Sequence, residues 1–247
     1  LHQPGGTDQG VRERILNLLY PPVCPMCGQI SAEGICPGCR KKIVPVTEGA
    51  YCMHCGKPLR NEAAEYCPDC VKNLSAGKHG FDQGRSLWLH REPVSGALYR
   101  FKYRNRRRFG RIFAGELAEA YAQQIRRWGI GEIIPVPLHP SRRRMRGFNQ
   151  AEILARELGG LCGLPVRTDV LYRIRKTSPQ KLLGRAERLR NLHGAFGVSA
   201  DWKPCGNVLL IDDIYTTGAT LERAAGVLKK TGAQKVFFLT ISIGQGI

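Results

Sequence analysis

Missing from this chain of 247 residues is any run of the roughly 18 uncharged apolar residues that a membrane-spanning helix requires. The longest apolar runs, around Val208–Ile211 and Val236–Ile243, are the size of strands. The opening LHQPGGTDQG has neither the basic start nor the apolar stretch of a secretory signal, which predicts a soluble, cytoplasmic protein. Acidic residues are scarce: 20 Asp and Glu stand against 38 Lys and Arg, a formal net charge of +18. Lysine is scarcer still over residues 80–200, where Lys102, Lys176 and Lys181 are the only three. That stretch nonetheless carries 24 basic against 9 acidic residues, a net +15, so 21 of its cations are Arg. Residues 21–79 show the opposite preference, five Lys to two Arg, and a genome-wide compositional bias explains such a local switch poorly. The planar fork of Arg grips phosphate with two hydrogen bonds, so the excess points to an anionic phosphate partner. A solvated basic face that serves solubility is the plainer alternative. Hydrophobic residues make up 43% of the chain, which excludes a wholly disordered basic tail. The length suits one large domain or two modest ones.

Cysteine, by contrast, is abundant and ordered. Eight of the ten fall in four pairs of identical spacing: Cys24/Cys27, Cys36/Cys39, Cys52/Cys55 and Cys67/Cys70. Two residues between cysteines let the chain turn tightly enough to set both sulfurs on one ion, and two such pairs complete a tetrahedron. Eight thiolates therefore predict two structural Zn²⁺ sites. Sequential pairing is the most economical, and crossed pairing of the first with the third pair stays open. A disulfide framework is the main rival, and it fits poorly with a reducing compartment. Redox CxxC motifs occur singly rather than four in a row. His54 lies inside one pair as a spacer, and Cys162 and Cys205 read as ordinary buried thiols. With a net charge of only +2 over residues 21–79, the ribbons read as scaffold. No apolar core of useful size is visible in residues 21–70, so their folding should depend on metal. Ahead of them Val11, Ile15, Leu18 and Leu19 recur at helical spacing until Pro21-Pro22, which predicts a short amphipathic helix.

From about residue 80 the pattern alternates. Strand-like runs at Arg85–Leu89, Glu132–Val136, Val166–Leu171, Val208–Ile211 and Lys235–Ile243 are separated by helical patterns near 94–104, 110–128, 149–160 and 218–231. Continuous apolar strands between amphipathic helices predict an α/β fold, a mostly parallel sheet with helices on both faces. Ligands of such sheets bind outside the carboxyl ends of the strands.

The segment Val208–Thr220, VLLIDDIYTTGAT, sits at such an end. An apolar strand runs into Asp212 and Asp213, and Thr216, Thr217, Gly218, Ala219 and Thr220 then open a helix. Backbone N–H groups at that helix start make an anion site, Gly218 permits close approach, and the Thr hydroxyls add donors. Carboxylates beside a phosphate site can accept hydrogen bonds from vicinal hydroxyls, so the combination describes a ribose 5-phosphate. A Thr-rich cap after an acidic turn would explain the helix start but not the Asp pair. Upstream, Phe101, Tyr103 and Phe109 interleave with six basic residues over Phe101–Arg111. Aromatic platforms beside cations suit single-stranded nucleic acid. The same spacing also fits the buried side of a helix.

The 13 residues of Val208–Thr220 closely resemble the phosphoribosyl-pyrophosphate signature of the type I phosphoribosyltransferases, position for position. Pro135-Val136-Pro137-Leu138, Arg142-Arg143-Arg144, Arg146-Gly147-Phe148-Asn149-Gln150 and Phe101-Lys102-Tyr103-Arg104 resemble the ComF family, named for DNA uptake in natural competence. So does the spaced set Arg175, Thr177, Gln180, Arg185, Arg188, Asn191 and Phe196, and so does the cysteine region ahead of the α/β domain. The resemblance covers nearly the whole chain from Leu16. It implies a tail and short helix over 1–20, a double zinc ribbon over 21–79 and a phosphoribosyltransferase-like domain over 80–247. It also implies that Asp212 and Asp213 hold ribose hydroxyls while Thr216–Thr220 hold the 5-phosphate. Mg²⁺ would bridge the diphosphate and ribose oxygens of phosphoribosyl pyrophosphate.

Arg142, Arg143, Arg144 and Arg146, with Lys102 and Arg104, are expected to meet a pyrophosphate or a polynucleotide backbone. The segment Arg173–Asn191 reads either as a loop that closes over ligand or as a solvated connection. Two functions follow. One is a protein that binds phosphoribosyl pyrophosphate or a related sugar phosphate and handles single-stranded DNA, in company with DNA-uptake machinery. The other is an active phosphoribosyltransferase on a nucleobase or amine acceptor, for which no base pocket is recognisable. An amidophosphoribosyltransferase is not expected, because no glutaminase nucleophile opens the chain.

Overall fold

Two short helices accompany the cysteine pairs, α1 (Pro37–Arg40) and α2 (Pro68–Ser75). The α/β part then runs β1 (Gln83–Leu89), α3 (Val94–Tyr103), α4 (Phe109–Arg127), β2 (Ile130–Pro135), α5 (Pro140–Arg146), α6 (Gln150–Cys162), β3 (Leu171–Arg173), β4 (Phe196–Val198), β5 (Asn207–Tyr215), α7 (Ala219–Lys230) and β6 (Val236–Ile243). The computed structural model describes residues 21–75, 77, 79–174 and 194–244. The helix expected over Val11–Leu19 and the set Arg175, Thr177, Gln180, Arg185, Arg188 and Asn191 lie outside the described residues. Among the described residues no helix is long and apolar enough to cross a membrane.

β1, β6, β5 and β2 form one sheet in that order, every pairing parallel. Its strands are apolar on both faces because both faces are covered. Leu209, Ile211, Phe237, Leu239 and Ile241 meet α3, α4 and α6 through Leu98, Phe101, Phe113, Leu117, Leu154 and Leu158. The alternate residues Val208, Leu210, Val236 and Phe238 meet Leu221, Ala224, Ala225 and Leu228 of α7. The period-two alternation of β5 and β6 thus feeds two separate cores.

The zinc-ribbon region has no core of its own and shares both. Cys24, Met26, Ile35 and Cys39 belong to the layer of α3 and α4, while Cys52, Cys55, Cys67 and Cys70 belong to the layer of α7. The ribbons straddle the β1 edge of the sheet and take up its hydrogen bonds. Gly84 N donates to His54 O at 2.8 Å and Leu89 N to Val44 O at 3.0 Å. A covered edge cannot pair with another chain. Arg100 Nη2 donates to the Pro25 and Met26 carbonyls at 2.8 and 2.6 Å, and Arg40 pairs with Glu116 of α4.

Three expectations are corrected. Val166–Leu171 is not a strand: Val166 makes one parallel bridge to Ile133, and β3 starts at Leu171 to pair antiparallel with β4. Arg142, Arg143, Arg144 and Arg146 lie on a helix, α5, outside every helical pattern expected from the sequence. His139 Nδ1 caps it by accepting from Ser141 N at 3.2 Å, Pro140 fills its first turn, and Gly147 closes it at φ +77°. Cys205 is exposed and Cys162 half-buried, so neither is the buried thiol expected.

Candidate functional site

The carboxyl end of the sheet gathers β5, α7, α3 and β3 around the two aspartates. Asp212 and Asp213 do not stand past the tip of β5, because β6 continues the ladder beyond them: Asp212 pairs with Thr240 and Ile214 with Ser242. They do stand past the end of β2, whose last partner is Ile211. Neighbours in a strand point to opposite faces: Lys102 pairs with Asp213, and its charge reaches Asp212 as well, where Arg173 also acts. Asp213 Oδ2 lies 2.8 Å from Lys102 Nζ on α3, and both side chains are largely buried. Asp213 N donates to Asp212 Oδ1 at 2.8 Å. Burial, and then the charge of Asp213, push the Asp212 carboxyl up to about 7, against the pull of that N–H, Lys102 and Arg173.

The loop after β5 leads directly into α7. Gly218 takes φ +78° and starts α7 without a side-chain cap. A Cβ at that position would meet Tyr215 Oη at 2.5 Å, so both the backbone shape and the space demand glycine. Thr217 Oγ1 is buried and has no hydrogen-bond partner among the described residues, an arrangement that costs about 1–3 kcal/mol unless something binds it. Thr216 is exposed, Thr220 half-buried and Ala219 buried. Tyr215 stacks on Phe238 with ring centroids 5.1 Å apart and contacts Phe81 edge-on. Its hydroxyl is pushed well above its usual range by burial and then by Cys55 and Cys70. The second ribbon therefore supports the loop from behind through Tyr215, a residue to which the sequence analysis gives no role.

Arg173, also missed as a site residue, is buried, lies with its guanidinium 5.3 Å from the Phe196 ring centre, and acts on Asp212. Burial, then the charge of Arg142, lower its affinity for the proton, and Asp212 opposes them. In the sequence Arg173 stands at the head of the segment Arg173–Asn191, whereas the structure sets it at the end of strand β3. Beside it, a cleft of about 550 Å³ runs between α5 and β3, lined by Pro137, Leu138, Arg143, Arg144, Thr168 and Arg173. Arg143 pairs with Glu152 at 3.1 Å, and Arg104 and Arg144 are exposed.

The aromatic platform differs from the one expected. Phe101 and Phe109 are core residues, 0% and 3% exposed. Tyr103 is 46% exposed and pairs instead with Tyr99, 52% exposed and one turn earlier on α3, with centroids 5.0 Å apart. Arg146 reaches over from α5, its guanidinium 4.8 Å from the Tyr103 ring centre, and donates to Tyr103 Oη at 3.0 Å.

The eight cysteines form two groups, Cys24, Cys27, Cys36 and Cys39, then Cys52, Cys55, Cys67 and Cys70, so the pairing is sequential. Cys27 and Cys36 sulfurs stand 3.8 Å apart and those of Cys55 and Cys67 3.7 Å apart. Two thiolates about 2.3 Å from one tetrahedral Zn²⁺ stand about 3.8 Å apart, so both groups fit the ion.

A family model described as a double zinc ribbon domain matches residues 15–71. The chain is 33% identical over 212 residues to competence protein F of Haemophilus influenzae, covering 84% of this chain and 89% of that protein. It is 30% identical to competence protein ComFC of Bacillus subtilis, over 81% of this chain and 80% of that one. It is 26% identical to the DNA utilization protein YhgH of Escherichia coli K12, over 84% and 96%. A purine phosphoribosyltransferase from Pyrococcus horikoshii aligns over 54% of this chain and 84% of its own, at 17% identity and a TM-score of 0.34, a likeness too low to carry weight.

Proposed function

The chain belongs to the family of competence proteins F and ComFC, and from that premise we propose that it binds phosphoribosyl pyrophosphate or a related ribose 5-phosphate and handles single-stranded DNA in natural transformation, in the cytoplasm. The observation that carries the first half is the buried Thr217 hydroxyl, which has no partner among the described residues, beside left-handed Gly218 at the start of α7. In this reading Thr216–Thr220 hold the 5-phosphate. Asp213, and Asp212 in its ionised form, accept from the ribose hydroxyls. Lys102 pairs with Asp213 and acts with Arg173 on Asp212, so both carboxylates already answer to cations and make no ready cage for a divalent ion. Mg²⁺ would therefore be held mainly through the ligand's own phosphate and sugar oxygens, whose charge it neutralises. The exposed face of α3 and α5, with Tyr99, Tyr103, Arg104, Arg144 and Arg146, offers stacking and cations to a single strand. DNA lacks the 2′ hydroxyl that the aspartates would read, so sugar phosphate and strand occupy separate surfaces. The names of the relatives, competence and DNA utilization, support the second half.

One observation favours a second reading, an active phosphoribosyltransferase: the 550 Å³ cleft between α5 and β3 is large enough for a base or amine acceptor and shares Arg173 with the neighbourhood of Asp212.

Thermal stabilisation by phosphoribosyl pyrophosphate with Mg²⁺ tests the sugar site. It should be present in the unaltered protein and lost when Asp212→Asn and Asp213→Asn are combined; stabilisation that survives both removes the assignment. Binding of a single-stranded oligonucleotide should weaken steeply with salt, and a flat response removes the strand reading.

A further inference from the structure

His54, His79 and Glu222 come from three parts of the chain: the second ribbon, the stretch that joins it to β1, and the first turn of α7. Their potential ligand atoms all lie within 4.8 Å of one another. His79 Nδ1 stands 3.1 Å from His54 Nε2, with the rings at 75°. Two imidazole nitrogens bound to one tetrahedral ion at about 2.0–2.1 Å would stand about 3.3 Å apart. The observed separation is close to that of two ligands on one ion. His54 is buried, its ring stacked on Phe81 at 4.6 Å and 19°, so its position is fixed. Glu222 Oε2 accepts from Gly80 N at 2.5 Å, and a carboxylate has a second oxygen to offer.

A plain hydrogen-bonded histidine pair with a nearby structural carboxylate is the simpler account. His79 Nε2 is buried with no partner among the described residues, and it stays so whether Nδ1 meets His54 directly or through an ion. The Gly80 and Phe81 N–H groups account for the carboxylate of Glu222, 142 residues from Gly80 in sequence, but the histidine pair alone does not explain why that carboxylate also lies within 4.8 Å of both ring nitrogens.

We propose that His54, His79 and Glu222 form a third metal site, for a divalent ion of the zinc type, distinct from the two four-cysteine sites. Two imidazoles and one carboxylate are a donor set that zinc favours, with a fourth position left for water or a ligand oxygen. His54 stays outside the Cys52–Cys70 tetrahedron, which is already complete with four sulfurs. The ion ties the second ribbon, the joining stretch and α7 together. Glu222 N also donates to Gly218 O at 2.8 Å, so the same ion stiffens the turn that starts at Gly218. This inference does not depend on the sugar or DNA reading.

The test is metal content of the full chain after loading with zinc and removal of the excess. The unaltered protein should hold about three ions per chain, and His79→Ala and Glu222→Gln about two each. Loading with cobalt instead separates the classes: the four-cysteine sites give thiolate-to-metal charge transfer, and a third equivalent should add a visible band without it. Saturation of the unaltered protein at two ions, or retention of the third by both variants, overturns the proposal. If His79→Ala does not fold, Glu222→Gln keeps an oxygen for the Gly80 N–H, and the cobalt titration of the unaltered chain answers the same question.

Discussion

Lys102 Nζ lies 2.8 Å from Asp213 Oδ2, and the two side chains are 17% and 12% exposed. Helix α3 therefore brings its cation to the carboxylate that the proposed site assigns to a sugar hydroxyl. Lys102 follows the buried Phe101, whose packing fixes the helix, so its approach to Asp213 is set by the core. A ligand must share this carboxylate with Lys102 or displace it.

Removing one partner from such a largely buried pair leaves a charge without compensation, and removing both does not. Lys102→Met and Asp213→Asn should each destabilise the protein, and the double variant should lose less than their sum by about 1–3 kcal/mol. Denaturant melts of the four proteins check this. Additive losses would mean that the pair contributes nothing in solution.

Asp212 carries a pH signature of its own. Its carboxyl rises from an ordinary 3.8 to about 7 on folding, through burial and then Asp213. The folded state thus binds the proton more tightly than the unfolded chain. The stability linked to that proton is fully present below about pH 4 and is lost as pH rises through about 7. Asn cannot ionise and keeps the oxygen that accepts from Asp213 N. Asp212→Asn should therefore gain stability over the unaltered protein between about pH 4 and 7, by on the order of 2 kcal/mol after allowance for its partial exposure. Thermal melts across that range measure the difference. A constant offset would contradict the raised carboxyl.

Thr217→Val separates stability from binding. The hydroxyl has no partner among the described residues, so its loss should leave the melting temperature unchanged or slightly higher. Stabilisation by ribose 5-phosphate should fall, because a donor to the phosphate is gone. Equal ligand stabilisation in the two proteins would show that the hydroxyl does not face the phosphate.

The aromatic residues of α3 should divide in the same way. Tyr99→Ala and Tyr103→Ala should each weaken single-strand binding by about 1–3 kcal/mol with little change in stability. Phe101→Ala, at a fully buried position, should cost about 3–5 kcal/mol of stability. Oligonucleotide titrations and melts of the same three variants distinguish these outcomes.

Much of this was legible beforehand because the signals are local. The four cysteine pairs announce two four-thiolate sites, though not which pairs combine, and the 13-residue segment at Val208–Thr220 carries strand, carboxylates, loop and helix start in contiguous order. Helix α3 was expected over 94–104 and spans Val94–Tyr103, since a 3.6-residue stripe reports its own length. Val166–Leu171 failed for the opposite reason: an apolar run becomes a strand only if a partner lies alongside, and Ile133 offers Val166 a single bridge. Helix α5 escaped notice because histidine is an unusual cap, although Pro140 and Gly147 bracketed it. The platform on α3 was read one residue set too far inward, because α4 and α6 decide which ring is covered.

By itself, the sequence determined the α/β class and the presence of two four-cysteine sites, for each is written in local patterns of spacing, and the structure then decided that the cysteine pairs combine sequentially. Tertiary structure alone decided that Lys102 meets Asp213, that Arg173 acts on Asp212, that the ribbons share both cores and seal the β1 edge, and that His54 and His79 converge on Glu222. These are meetings of residues far apart in the chain. Only the packing of the sheet and its covering layers brings them within reach.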